Sequence, residues 1–366
     1  MKISIYREKL LPPLQGISSV VERRQSLPIL SNVLIESEAQ HVSFTVTDLE
    51  IELELRIDHI ATDWGSITIP ARKLFDICRA LEDKSEVEIS VEEAHVCVRS
   101  GRSYFKLNSS PAAEFPRIGE LKATVRFRLP AKRLKELVEA THFAMAQQDV
   151  RYYLNGLLFE LGGGQLRAVA TDGHRLACSE IPVELEAGEQ VQVILPRKGV
   201  LELGRMLSDS EDEVTVSLSE NHMQMETGDR KLTSKLIDGR FPDYARVVPT
   251  QGDKQLRADR EGLRQCLART SILSNEKFRG IRIHLVDNTL TSSTHNLEQE
   301  EAQERLEVEY EGAELEIGFN VSYLLDVLSA IKTDTVILEL SDPDSGCLIR
   351  GGGACASKYV VMPMRL

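Results

Sequence analysis

The sequence predicts an α+β fold made of three repeats, each with antiparallel sheets and two helices to cover them. Three observations carry this. The chain has 366 residues, more than one core of ordinary size holds. One order of signals recurs three times, at a spacing of about 120 residues. Stretches of period 3.6 alternate with stretches of period 2 throughout.

Each repeat opens, on this reading, with an amphipathic helix: "YREKLLPPLQGISSVVERR", then "PAKRLKELVEATHFAM", then "DREGLRQCLARTSIL". The first is the weakest, because Pro12 and Pro13 disturb a helix unless they lie in its first turn. Strand-like runs follow, among them "SNVLIESEAQHVSFTVTDLEIELELRI" and "LNGLLFELGGGQLRAVATDGHRLACSEI". A strand then leads into a second helix: "GSITIPARKLFDICRALE", "VQVILPRKGVLELGRML" and "LEIGFNVSYLLDVLSAIK". Alternating strands such as "VEISVEEAHVCVRS" and "VTVSLSENHMQME" come next. Each copy closes on an apolar-Pro step, "EFPRI", "RFPDY" or "VMPMRL". The two halves of each repeat look alike, so six half-units make the chain. The expected domains are 1–122, 123–249 and 250–366.

The composition, 42% hydrophobic and 28% charged, is that of a soluble globular protein. The N-terminus shows no apolar h-region, and no uncharged run approaches the ~20 residues that span a bilayer. Cysteines 78, 97, 178, 266, 347 and 355 are scattered, with no C-x-x-C and no His at zinc spacing. They read as reduced thiols of a cytoplasmic protein, mostly packed as small hydrophobes.

"VATDGHRLACSE", residues 169–180, gathers Asp172, His174 and Cys178, side chains common in hydrolases and metal sites. The repeats argue for another role. Thr171-Asp172 recurs as Thr47-Asp48 in a copy with no His beside it, so Asp172 reads as a turn residue. His174 and Cys178, four apart in a strand, stand ~13 Å from each other, too far for a nucleophile and its base. There is no G-x-S-x-G elbow, and the S-x-x-K matches at Ser274–Lys277 and Ser329–Lys332 lack companion motifs. "LGGGQ" and "RGGGA" lie between strands and read as hairpin turns rather than phosphate cradles. "DPDSG" lacks the rest of a calcium loop, and "SDSEDE" is a solvated loop. No catalytic, metal or cofactor site is expected. The competing enzyme reading is a hydrolase using Asp172 and His174.

The formal charge is −13, yet the predicted helix segments 8–24, 71–82, 131–142, 197–207, 259–270 and 321–332 hold 16 Lys and Arg against 10 Asp and Glu. The other residues hold 28 against 47. Either the charges occupy solvated helix faces, or the helices look onto one common positive region within an acidic shell. In the second case phosphate is attracted only there.

The motifs "LPIL", "TDLE", "PARKLFDICR", "VRSGRS", "QQDVRYYLNG", "VATDGHRLA", "PRKGV", "ILSNEKFRG", "EQEEA", "GFNVSYLLDVL" and "YVVMPMRL" span the whole chain. Through them the sequence resembles the β sliding clamps of bacterial DNA polymerase III, the processivity rings. The resemblance implies three clamp domains with sheets outside and helices inside. It implies a head-to-tail homodimer closed into a ring around duplex DNA, in the cytoplasm and associated with the nucleoid, with no catalysis. The partners it implies are the polymerase III catalytic subunit, the clamp loader, and other polymerases, ligase and mismatch-repair proteins that dock by short hydrophobic motifs. No membrane is implied. A monomeric peptide-binding adaptor that never encloses DNA is the remaining alternative.

The resemblance also assigns residues. The partner-peptide pocket, between the second and third domains, takes Arg151, Leu154, Thr171, Gly173, His174, Arg175, Leu176, Pro242, Arg246 and Val247. From the third domain it takes Phe278, Asn320, Tyr323, Val360, Val361, Met362, Pro363, Met364 and Arg365. Met and Val suit an adaptable floor, and Arg and His at the rim suit an extended peptide's carbonyls. The chain departs from relatives at Pro343, Asp344 and Gly346, at one edge of that pocket. DNA-facing positions are Arg24, Arg72, Gln148, Tyr153, Arg197, Lys198, Arg205 and Arg279. The dimer seam sets Lys73, Ile77, Leu81, Phe105 and Leu107 against Ile272, Leu273, Glu300, Glu301 and Glu304.

Overall fold

A computed structural model describes all residues except 22–26, 61–62, 93–94, 120, 185–189, 250–251, 297, 354–355 and 366. The first repeat runs β1 (Lys2–Tyr6), α1 (Arg7–Ile17), β2 (Asn32–Ser37), β3 (His41–Thr47), β4 (Ile51–Asp58), β5 (Gly65–Pro70), α2 (Ala71–Ala80), β6 (Glu86–Glu92), β7 (His95–Ser100) and β8 (Ser103–Asn108). The second runs β9 (Val125–Pro130), α3 (Ala131–Glu139), β10 (Gly156–Gly162), β11 (Gln165–Thr171), β12 (Arg175–Pro182), β13 (Val191–Pro196), α4 (Arg197–Met206), β14 (Glu213–Leu218), β15 (His222–Thr227) and β16 (Arg230–Lys235). The third runs β17 (Lys254–Asp259), α5 (Arg260–Thr270), β18 (Gly280–Val286), β19 (Thr289–His295), β20 (Glu301–Glu307), β21 (Glu309–Glu311), β22 (Leu315–Asn320), α6 (Val321–Ala330), β23 (Thr335–Leu340), β24 (Cys347–Gly351) and β25 (Lys358–Val361).

Every half-repeat is therefore strand, helix, three strands, with β21 as the one addition. The expected likeness of the halves is observed. The expected opening helix is corrected: a strand precedes it in all three copies. β1, β9 and β17 are short, with apolar residues at every second position, such as Ile3 and Ile5 or Phe127 and Leu129. α1 corrects the proline expectation, since it runs through Pro12 and Pro13. A helix-interior proline costs about 3 kcal/mol. Leu10, Pro13, Leu14 and Ile17 form its buried face, and that packing offsets the lost amide bonds.

The chain forms two compact units. Residues 1–132 and 201–236 hold an eight-stranded sheet, in the order β5-β2-β3-β4-β16-β15-β14-β9, and a four-stranded one, β1-β6-β7-β8. Residues 133–200 and 237–366 hold a nine-stranded sheet, β13-β10-β11-β12-β25-β24-β23-β17-β21, and a four-stranded one, β20-β19-β18-β22. All pairings are antiparallel. Units and repeats differ because the long sheets run on from one repeat into the next, through β4 on β16 and through β12 on β25.

The six helices carry 14 Lys and Arg against 7 Asp and Glu, so the bias expected from sequence persists on their observed spans. Cys78, Cys97, Cys266 and Cys347 are buried free thiols. Burial pushes Cys78 up to about 12 and Cys178 and Cys266 to about 11, so none is poised as a nucleophile. "LGGGQ" is a hairpin turn, with Gly163 and Gly164 at φ +61° and +76°. "RGGGA" extends outside the described residues. Among the described residues no helix is long and apolar enough to cross a membrane.

Candidate peptide-binding site

The turn between β11 and β12 is held by its own side chains. Thr171 Oγ1 donates to the Arg175 carbonyl at 2.6 Å and accepts from the Gly173 amide at 3.1 Å. Asp172 Oδ1 accepts from the His174 and Arg175 amides at 2.9 and 3.0 Å. Thr47 and Asp48 make the same bonds, to Ile51, Leu49 and Glu50, in the first repeat. Asp172 is thus a turn residue, as its repetition implies. Gly173 and its counterpart Leu49 have φ of +89° and +78°.

Behind this turn, Leu176 on β12 stands opposite Val360 on β25. The Met362 amide continues the ladder by donating to the His174 carbonyl at 2.9 Å. Leu154, on a short 3-10 turn, completes the floor with Leu176 and Val360, all buried in one apolar cluster. Over it opens a cavity of about 190 Å³ lined by Arg151, Leu154, Thr171, Gly173, Arg175, Leu176, Pro242, Tyr244, Val247, Val360 and Met362. Ten of these eleven were expected from sequence. Tyr244 was missed, although it sits in the "RFPDY" step that closes the second repeat. Its hydroxyl is held by Glu160 and by Arg167 at 3.2 Å, which fixes its ring as a wall. Burial pushes its phenol above the ordinary range, so it stays neutral.

The rim carries two kinds of arginine. Arg151 binds Asp149 at 3.0 and 2.8 Å and the Asp172 carbonyl at 3.3 Å, and stays half-exposed. These bonds hold Asp149 down at about 2. Arg175 is spent: it pairs with Asp172 and Asp326, donates to the Phe143 carbonyl at 2.8 Å, and lies 4.5 Å from the Tyr323 ring centroid. It is a strut rather than a free donor for a peptide. His174 is exposed, and Arg246 is exposed and paired with Asp243 at 2.8 Å.

Other expected pocket residues lie elsewhere. Val361 is fully buried and does not line the cavity, because its strand turns it into the core. Asn320 caps α6 through Ser322, and Tyr323 stacks on Arg175. Phe278, Met364 and Arg365 line a separate, larger cavity. Pro363 is half-buried between Met362 and Met364. At the divergent edge, Arg365 reaches Asp344 only at 3.5 Å. A Cβ on Gly346 would come within 3.1 Å of Met362 Sδ and 3.2 Å of Val360 Cγ1.

The first unit has the matching turn but not the matching wall. Glu52 stands where Leu176 does and Glu54 where Cys178 does. Glu52 accepts the Ile118 amide at 2.9 Å, and Glu54 pairs with Lys231 and Arg56, each at 2.6 Å. Burial raises Glu52; burial also raises Glu54, but Lys231 and Arg56 outweigh it. Of these two matching turns, the one in the second unit stands over an apolar floor among the described residues.

Of the DNA-facing expectations, Arg24 lies outside the described residues. Gln148 is exposed at φ +56°; Arg197 and Lys198, at the start of α4, are half-buried, and the Arg197 amide donates to the Asn155 carbonyl at 3.0 Å. Tyr153 is half-buried against the apolar cluster under the cavity, because the 3-10 turn directs its ring inward. Arg205 pairs with Glu202, Arg72 bonds the Val21 carbonyl at 2.8 Å, and Arg279 is half-buried at φ +51°. At the seam positions, Lys73 and Ile272 are exposed, and Ile77, Leu81, Phe105, Leu107 and Leu273 are half-buried. Glu304 is paired with Arg269, and Glu300 with the Asn296 amide group. Among the described residues no His, Cys, Asp and Glu cluster could hold a metal ion.

Comparison with known proteins decides the family. Models of the DNA polymerase III beta subunit match in order: the N-terminal domain at residues 1–119, the central domain at 128–243 and the C-terminal domain at 245–365. The chain belongs to the beta sliding clamp family. It is 51% identical to the beta sliding clamp of Pseudomonas aeruginosa and 49% to that of Escherichia coli K12, over 100% of each chain. The crystal structure of the Pseudomonas aeruginosa DNA polymerase III subunit beta matches with a TM-score of 0.97 over 100% of both chains. A Pseudomonas aeruginosa clamp bound to griselimycin matches equally well. As in its family, the chain has three clamp domains and is a non-catalytic processivity subunit, which excludes the hydrolase reading.

Proposed function

We propose that the chain works as a head-to-tail homodimeric ring of six clamp domains, 1–122, 123–249 and 250–366 twice over. The ring encircles duplex DNA and slides on it. The cavity at Leu176 and Val360 holds short hydrophobic motifs of the polymerase III catalytic subunit, the clamp loader, other polymerases, ligase and mismatch-repair proteins. The setting is the cytoplasm, at the nucleoid.

One observation carries the ring. Each repeat boundary inside the chain is a β-ladder, β4 on β16 and β12 on β25, and the strands left over at the corresponding places are the edges β20 and β8. An unpaired edge is a template for another strand. A heterologous contact that repeats the internal one closes a ring. The internal ladders also give its register. Glu52 faces Thr233 and Leu176 faces Val360, and their counterparts in the repeats are Glu301 and Lys106. Glu301 then faces Lys106 of the partner subunit, and Ala302 faces Phe105 of the partner subunit. Glu300 and Glu304 are already engaged within their own chain, which supports Glu301 as the charge that crosses the seam.

Linkage by topology needs no tight DNA contact, so the ring holds without gripping. Its contacts are with phosphate and carry no sequence information. The basic excess on the helices and the acidic remainder favour DNA at the helices and repel it elsewhere. For the cavity, the griselimycin-bound relative supports occupancy by a peptide-like molecule.

Deleting residues 362–366 tests the cavity. The variant should keep a solution mass of about twice 41.0 kDa and lose binding of a hydrophobic partner peptide. Unchanged affinity would refute the assignment.

A further inference from the structure

The second helix of each repeat carries an acid at its sixth residue: Asp76 on α2, Glu202 on α4 and Asp326 on α6. In the first two copies that acid pairs with an arginine one turn on, Asp76 with Arg79 at 3.0 Å and Glu202 with Arg205. In the third copy the residue one turn on is Ser329, and Asp326 reaches out of its helix to Arg175. Arg175 is an exchange of the same kind. It stands in the Thr171-Asp172 turn where the Thr47-Asp48 turn has Ile51, with the same two backbone bonds. Neither the turn nor the helix needs this pair in order to form, since the first repeat builds both without it. Among the described residues, helix acid and turn arginine meet at one place, beside the apolar pocket.

The Arg175 side chain is 11% exposed and lines the pocket, and its fork is held from three places, all in the second unit. Nε donates to Asp172 at 3.1 Å, Nη1 to Asp326 on α6 at 2.5 Å, and Nη2 to the Phe143 carbonyl at 2.8 Å, on the 3-10 turn His142–Ala144. The Tyr323 ring, also on α6, has its centroid 4.5 Å from the guanidinium carbon. Asp172 belongs to the turn itself, so it holds Arg175 within the turn and ties the turn to nothing outside. Phe143 offers a neutral carbonyl. Among the described residues, Asp326 is therefore the charged group that ties the guanidinium to another element, and the second carboxylate that offsets its charge. A fork fixed by two carboxylates is rigid, and removing one of them leaves a buried charge underpaired.

We propose that Asp326, which does not line the pocket, is a positioning and specificity residue for it. Acting through Arg175, it holds the wall at residues 171–175 in place and keeps that wall from selecting acidic peptides. The inference rests on the peptide-binding reading of the pocket. With Asp326 present, two carboxylates offset one guanidinium, and the pocket is selected by apolar shape. With its charge removed, one carboxylate remains, and the guanidinium turns its attraction on an acid of the bound segment. Specificity here is set by a residue one layer behind the surface that a peptide touches.

Two fluorescein-labelled probes, Ser-Leu-Gln-Met-Phe-amide and Ser-Leu-Glu-Met-Phe-amide, are titrated with full-length protein by anisotropy. Asp326→Asn keeps an oxygen for Arg175 and removes the charge. It should hold the Gln probe within about twofold of the parent protein and tighten the Glu probe about fivefold. Asp326→Ala, which removes the oxygen as well, should weaken the Gln probe about tenfold, and Asp326→Glu should restore it. In an Arg175→Gln background the same changes at Asp326 should move neither probe. A role in folding alone shifts both probes together and survives the loss of Arg175. Equal shifts of the two probes, no shift in either, or unchanged effects in the Arg175→Gln background would each overturn the inference while leaving the pocket standing. Probe binding that survives deletion of residues 362–366 would overturn the pocket reading, and this inference with it.

Discussion

Thr171, Asp172 and Gly173 show how a turn is converted into a binding wall. The hydroxyl and carboxylate are consumed by backbone groups of the same turn, so neither is free for chemistry. Gly173 keeps the wall thin: a Cβ there would lie 3.2 Å from both terminal nitrogens of Arg151, at a φ that costs an L-residue about 1–2 kcal/mol. Gly173→Ala should lower stability by about that amount and weaken peptide binding about tenfold by displacing Arg151. Calorimetric titration with a hydrophobic peptide checks it, and unchanged affinity would refute the role given to Arg151. The pH response follows from Asp149, whose acidity Arg151 increases. A lowered carboxylate contributes fully above its ordinary value near 4 and loses that contribution as pH falls towards about 2. In a His174→Gln background, which leaves no imidazole at the rim, peptide affinity should be flat from pH 8 to about 4. A decline above pH 5 that Asp149→Asn abolishes would contradict it.

At the scale of elements, the repeats were legible because helix and strand periods survive in all three copies. Three things were not. The leading strands are only five or six residues long and adjoin the helices, so their alternation is read as part of a helix start. α1 tolerates two interior prolines because burial, a tertiary effect, outweighs the local rule. Tyr244 becomes a wall only through Glu160 and Arg167, far away in sequence. Of the pocket residues, those on the turn and on strand neighbours were legible. The inward face of Val361 and the ion pairs that consume the guanidinium of Arg175 were not, because the side a strand residue faces and the partners of a charge are three-dimensional facts. The strand register is the sharpest prediction at this scale. With Ala302→Cys and Phe105→Cys in one chain, facing Cα atoms would stand about 5 Å apart, within disulfide reach. Oxidation should give covalent dimers on denaturing gels. A Phe105→Cys change paired with Glu304→Cys, two residues out of register, should crosslink less. Equal or greater crosslinking in that control would refute the register.

For the whole molecule, a chain of net charge −13 that acts on DNA poses an electrostatic problem. A protein that bound DNA by affinity would have to overcome that charge, and its hold would weaken steeply with salt. A closed ring escapes the difficulty, because its hold depends on topology. In the proposed ring, the acidic remainder keeps DNA away from surfaces other than those of the helices, which carry 14 basic residues against 7 acidic. The most direct test loads the protein onto nicked circular DNA, raises the salt, and then linearises the circle. Retention through the salt wash and loss on linearisation is the result expected of a ring. Equal retention on circular and linear DNA, or loss from both in salt, would contradict it.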